Sequence, residues 1–144
     1  MAFAIVAVCG LFHVIVMVFF AQFLLRTFSA VTLTKLRLQA LVLVLVFAVV
    51  TLLSLVEAGI WAAFYYVREL FPDFETAFYF SLGTYSTIGY GDVVLPQRWR
   101  LLGGIEGISG VLLCGLSAAF VFALLNALLQ SRIQRSLSKV TVLE

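Results

Sequence analysis

The chain has 144 residues, 64% of them hydrophobic and only 11% charged, a balance outside the range of soluble globular domains. It reads as an integral membrane protein with one compact transmembrane unit, and its formal charge of +2 is too small to suggest nucleic-acid binding. Cys9 and Cys114 lie far apart inside apolar stretches, without metal-type spacing, which indicates neither a disulfide framework nor a zinc site.

Phe3 to Leu25 is an apolar run of 23 residues whose polar side chains are His13 and Gln22. At 1.5 Å per residue it reaches roughly 35 Å, enough to cross a bilayer. A cleaved signal peptide is the competing reading, but the run lacks a basic leader, is too long, and is followed by no small-residue cleavage site. A membrane helix is expected, with His13 as a hydrogen-bonded packing residue rather than a proton sensor. Arg26 to Leu38 is a polar connector carrying Arg26, Lys35 and Arg37. It suits a surface helix or a strand, with Val31, Leu33, Leu36 and Leu38 touching lipid.

Gln39 to Val67 is the second expected span, and Trp61, Tyr65 and Tyr66 at its far end form an aromatic belt. Glu57 lies roughly 15 Å inside that end. A carboxyl at such depth is a functional candidate, here a possible gating acid, with a protonated or hydrogen-bonded packing residue as the plainer alternative. Pro72-Asp73 then signals a helix start, and Phe74 to Ser86 reads as a short amphipathic helix that cannot span.

Thr84 to Asp92 (Thr-Tyr-Ser-Thr-Ile-Gly-Tyr-Gly-Asp) is polar and glycine-punctuated, yet long apolar segments flank it. Non-helical backbone is tolerated at membrane depth only where protein buries it or water reaches it. The loop is therefore expected to re-enter the membrane and line a cavity. Its run Thr87-Ile88-Gly89-Tyr90-Gly91-Asp92 resembles the selectivity filter of the potassium channel family, usually Thr-Val-Gly-Tyr-Gly-Asp. The resemblance covers about residues 39–130, and the first span is an addition to the family's simplest plan.

The resemblance implies an all-α membrane protein with three transmembrane helices per chain, a re-entrant pore helix and a fourfold pore. It implies an ion-binding filter of Thr87, Ile88, Gly89, Tyr90 and Gly91, with potassium ions held by the carbonyls of the first four. Gly89 and Gly91 can adopt positive φ without steric cost, while Ile88 and Tyr90 pack outward. Asp92 would brace the loop or attract cations at the outer mouth, and Tyr79 and Phe80 would surround the filter. The negative end of the short helix would face the central cavity. Gly83 stands where some family members place a buried glutamate.

Leu101 to Leu129 is the third expected span. Gly103-x-x-x-Gly107 permits close helix approach. The stretch Glu106 to Cys114 resembles the inner helix of inward rectifiers, which implies a hinge at Gly110, or alternatively at Gly115, and a cavity lined by Cys114 and Ala118. Glu106 is expected to support the filter from behind by bonding Thr84 or Ser86. Residues 131–144 form a short basic tail with Arg132, Arg135 and Lys139.

Basic residues on the first connector and in the tail place both in the cytoplasm, with the N-terminus and filter mouth outside. The parts are then an added helix and connector (1–38), a pore domain (39–130) and a tail (131–144). A single filter strand cannot surround an ion, so a homotetramer in the plasma-membrane bilayer is expected, with room for a regulatory subunit. The leading function is a passive potassium-selective channel. A poorly selective cation channel and a non-conducting membrane subunit are the alternatives. An enzyme is disfavoured, because no nucleophile–base pair, metal-ligand cluster or phosphate loop is present.

Overall fold

The computed structural model describes residues 1–27 and 36–141, and from 131 onward a side chain only at Ile133. The described residues form four α-helices: α1 (Ala2–Thr27), α2 (Leu36–Val67), α3 (Phe74–Tyr85) and α4 (Arg100–Thr141), with a 3-10 turn at Gln97–Trp99 leading into α4. No strand occurs among the described residues. Among the described residues, three segments are long and apolar enough to cross a membrane, namely Ala2–Thr27, Leu36–Val67 and Gln97–Gln130. The 12 residues of α3 extend only about 18 Å, so this helix stops partway. The expected fold class, three spans and one short helix, is the one observed.

Successive spans run antiparallel, so that α1 and α4 point the same way. Cys9 near the start of α1 packs in one cluster with Trp61 and Tyr65 near the end of α2. Leu24 at the far end of α1 meets Val42 and Val46, together with Phe120 and Leu124 of α4. The first cluster wraps α3 and contains Ala77, Tyr85, Leu95 and Leu113. The core thus sits around the short helix and places it between α2 and α4. Much of the remaining apolar surface is bare, as at Phe3, Phe47 and Leu101. Helices apolar all round are what a membrane span requires.

Two boundaries differ from expectation by three residues or more. Helix α2 begins at Leu36 rather than Gln39, and α4 continues to Thr141 instead of ending near Leu129. Neither glycine nor proline occurs between Leu116 and Thr141, so nothing in the backbone ends the helix. The expectations for Val31, Leu33 and Lys35, and for the side chains of Arg132, Arg135 and Lys139, lie outside the described residues.

Helix α2 ends in a Schellman motif: the Leu70 amide donates to the Tyr65 carbonyl at 3.0 Å and the Glu69 amide to the Tyr66 carbonyl at 2.9 Å. Glu69 occupies the left-handed position at φ 54°. The guanidinium groups of Arg68 and Arg98 lie 5.3 and 5.9 Å from the Trp99 ring, tying this turn to the start of α4.

Candidate functional site

The sequence around α3 fixes both of its ends. Asp73 caps the start, accepting from the Thr76 amide at 2.7 Å and from its hydroxyl at 3.0 Å. At the other end the Ser86 amide donates to the Leu82 carbonyl and the Thr87 amide to the Thr84 carbonyl, at 3.1 and 3.0 Å. The Gly89 amide then reaches back to the Gly83 carbonyl at 3.0 Å. The loop from Thr87 to Asp92 therefore hangs from the last turn of α3.

Helix α4 approaches α3 along a glycine stripe. A Cβ on Gly103 would lie 3.3 Å from the Phe80 ring, and one on Gly107 would lie 3.4 Å from the Thr84 carbonyl oxygen. At Gly110 the added carbon would fall 2.1 Å from the Tyr85 carbonyl oxygen, an impossible distance. Small residues here serve close packing of the short helix. Gly115 is different, since a Cβ there meets nothing within 4 Å.

Two wholly buried acids flank α3. Glu106 of α4 accepts from the Tyr65 hydroxyl at 2.8 Å and is hydrogen-bonded to Ser81, whose hydroxyl also lies 2.7 Å from the Ala58 carbonyl oxygen. The sequence expectation of Thr84 or Ser86 as partners is thus corrected by about one helical turn. The Ser86 hydroxyl is already engaged with the Leu82 carbonyl at 2.6 Å, and the Thr84 methyl faces the Gly103 position. Glu57 of α2 accepts from the Tyr85 hydroxyl, and its other oxygen lies 2.9 Å from His13 Nδ1. Tyr65, Ser81, Tyr85 and Ser117 were not singled out by the sequence reading as partners of these groups. Their sequence signal is weak: each is a lone hydroxyl on an apolar helix face.

In the loop the sign of φ alternates: Thr87, Gly89 and Gly91 have φ of 62°, 58° and 78°, and the residues between them do not share this positive range. The glycines sit where positive φ is expected. Thr87 is a β-branched residue in the left-handed region and is a true outlier. The hydrogen bond from its amide to the Thr84 carbonyl closes the turn after α3 and holds that conformation. The whole stretch from Ser86 to Asp92 is exposed on the single chain, Ile88 by 58% and Tyr90 by 65%. Tyr90 stacks on Tyr79 with centroids 5.9 Å apart, and the Tyr79 hydroxyl donates to Asp92 Oδ2 at 2.8 Å. That bond holds the Asp92 carboxyl below its ordinary range and pushes the Tyr79 hydroxyl above its own. A cavity of about 150 Å³ lies between loop and helix, lined in part by Phe80, Gly83, Thr84 and Val94. Cys114 and Ala118 lie on the side of α4 that the other helices leave exposed.

Three spans, with a short capped helix and a φ-alternating loop held between the second and third, define a multi-pass helical membrane protein. The chain belongs to the ion-channel family Ion_trans_2, whose model, described as "Ion channel", matches residues 39–127, more than half of its length. It is therefore an ion channel. No curated protein and no solved structure matches it. Helix α1 precedes the matched region.

Proposed function

We propose that the protein conducts potassium selectively and passively along the axis of a homotetramer in the plasma membrane. The observation that carries this reading is the alternation of φ along Thr87, Gly89 and Gly91 in a loop anchored to α3 yet bare on its other side. Such alternation turns successive peptide groups so that amides gather on one side and carbonyls on the other. Four copies facing one axis would surround an ion with the carbonyl oxygens of Thr87, Ile88, Gly89 and Tyr90, replacing the water it sheds. Asp92, braced by Tyr79, stands at the outer mouth, while Glu106 supports the pore helix from α4 through Ser81, and Thr84 of that helix packs against the Gly103 and Gly107 positions of α4.

Below the filter, Cys114 and Ala118 line the cavity. Bending of α4 falls at Gly115, because Gly110 is already required for contact with Tyr85. The basic residues of the first connector and of the tail face the cytoplasm, and the N-terminus and filter mouth face outward. Flux from purified protein in liposomes tests the reading. Potassium should pass and sodium should be excluded. Equal passage of the two would reduce the protein to a poorly selective cation channel, and absence of any flux would favour a non-conducting subunit.

A further inference from the structure

Helix α1 lies outside the matched family region, yet its histidine is buried where all four helices meet. His13 is 1% exposed, with Nδ1 2.9 Å from Glu57 Oε1 and Nε2 3.2 Å from the Ser117 hydroxyl oxygen. On its second oxygen Glu57 accepts from Tyr85, the last residue of α3. A continuous polar chain thus runs from Ser117 on α4 through His13 on α1 and Glu57 on α2 to Tyr85 at the root of the filter loop. The Nδ1–H tautomer satisfies both ring nitrogens, donating to Glu57 and accepting from Ser117. The other buried residues of α1 are Cys9, Met17 and Leu24, so apolar packing alone does not call for a histidine in this row. A polar ring at this depth is costly unless it is bonded, and here both nitrogens are.

We propose that His13 is a positioning residue for the filter: it fixes the orientation of Glu57, so that this acid holds Tyr85 and the end of α3 in place. Helix α1 is then part of the filter's support, contributed from outside the pore domain. The inference rests on the reading of residues 87–91 as the conducting filter. Without His13, one oxygen of Glu57 loses its partner in an apolar surrounding, and the carboxyl turns to find another. The Tyr85 bond is lost with it. Tyr85 also presses its carbonyl against Gly110, so its movement shifts the point from which the loop hangs.

Hydrogen exchange of residues 84–91 in the full-length protein in lipid nanodiscs tests this without relying on conduction. Asn in place of His13 keeps a nitrogen at the Nδ1 position, whereas Gln carries its nitrogen toward Ser117. His13→Asn is expected to stay within about twofold of the parent, while His13→Gln and Tyr85→Phe each speed exchange about tenfold, as loss of one buried hydrogen bond implies. The double variant His13→Gln/Tyr85→Phe should be no faster than either single one, because both break the same line. Multiplying effects in the double variant, or equal effects of Asn and Gln, would overturn the proposal. Tyr85→Phe removes a single oxygen and keeps the test open should a His13 variant fail to assemble; unchanged exchange in it is equally fatal. Liposome flux on the same proteins forms the second arm: steady potassium flux should fall about tenfold in His13→Gln with sodium still excluded. A parent protein that passes sodium freely would sink the pore reading, while the exchange data would still decide the role of His13.

Discussion

Ser81 has one hydroxyl proton and two acceptors in reach, the Ala58 carbonyl and Glu106 Oε1. An amide at position 106 resolves that competition: its NH2 donates to Ser81, whose proton then serves Ala58, and its oxygen still accepts from Tyr65. Glu106→Gln should therefore leave the thermal midpoint nearly unchanged. Glu106→Ala strands the buried Tyr65 hydroxyl, leaves Ser81 only the Ala58 carbonyl and opens a cavity, and should cost about 3 kcal/mol by thermal or denaturant unfolding in detergent. A different test applies to Asp92, which lies in the open. Its folded-state pKa is depressed, chiefly by the Tyr79 hydrogen bond, so the bond contributes fully above the ordinary carboxylate range and is lost only as pH falls through the depressed value. Tyr79→Phe should raise the acid midpoint of Asp92, read from its carboxyl carbon shift by NMR; equal midpoints would show that the bond does not hold the carboxyl. The two buried acids were legible in the sequence as anomalies, but their partners were not. Each bond joins residues 25 to 44 positions apart on different helices, and only the rotation of those helices decides which hydroxyl arrives.

Among the elements, the short helix was the most legible, because Asp73 supplies a cap and the glycine-rich loop ends the pattern. The glycine stripe of α4 was legible as small residues, but its meaning came from what it touches. Gly110→Ala drives a methyl into the Tyr85 carbonyl and should abolish assembly or cost about 3 kcal/mol, the upper end for overpacking. Gly104→Ala, where a Cβ meets nothing within 4 Å, should be tolerated and even gain up to about 1 kcal/mol in helix propensity. Comparing thermal midpoints of the two variants separates packing from a general need for flexibility: equal losses would favour flexibility. The continuation of α4 past Leu129 was missed because falling hydropathy ends a span without ending a helix.

At the scale of the molecule, what the described residues leave bare matters as much as what they bury. The core encloses α3, but among the described residues nothing covers the loop from Ser86 to Asp92 or the side of α4 carrying Cys114 and Ala118. Copies of the chain arranged about one axis would give the loop its missing surroundings and turn that side of α4 toward an aqueous cavity. The two cysteines report on this arrangement, because Cys9 is fully buried among α1, α2 and the short helix whereas Cys114 is exposed. A charged, membrane-impermeant thiol reagent applied from the cytoplasmic side should therefore reach Cys114 once the pore is open and stop potassium flux. Cys9 should stay unmodified, and Cys114→Ser should make the channel indifferent to the reagent. Lipid contact predicts the opposite: a side of α4 facing acyl chains admits no charged reagent, and Cys114 would then react only with apolar maleimides. Modification by both classes of reagent without loss of flux would leave Cys114 in water but off the ion path, and the assignment of the cavity to this side of α4 would fail while the filter assignment stood.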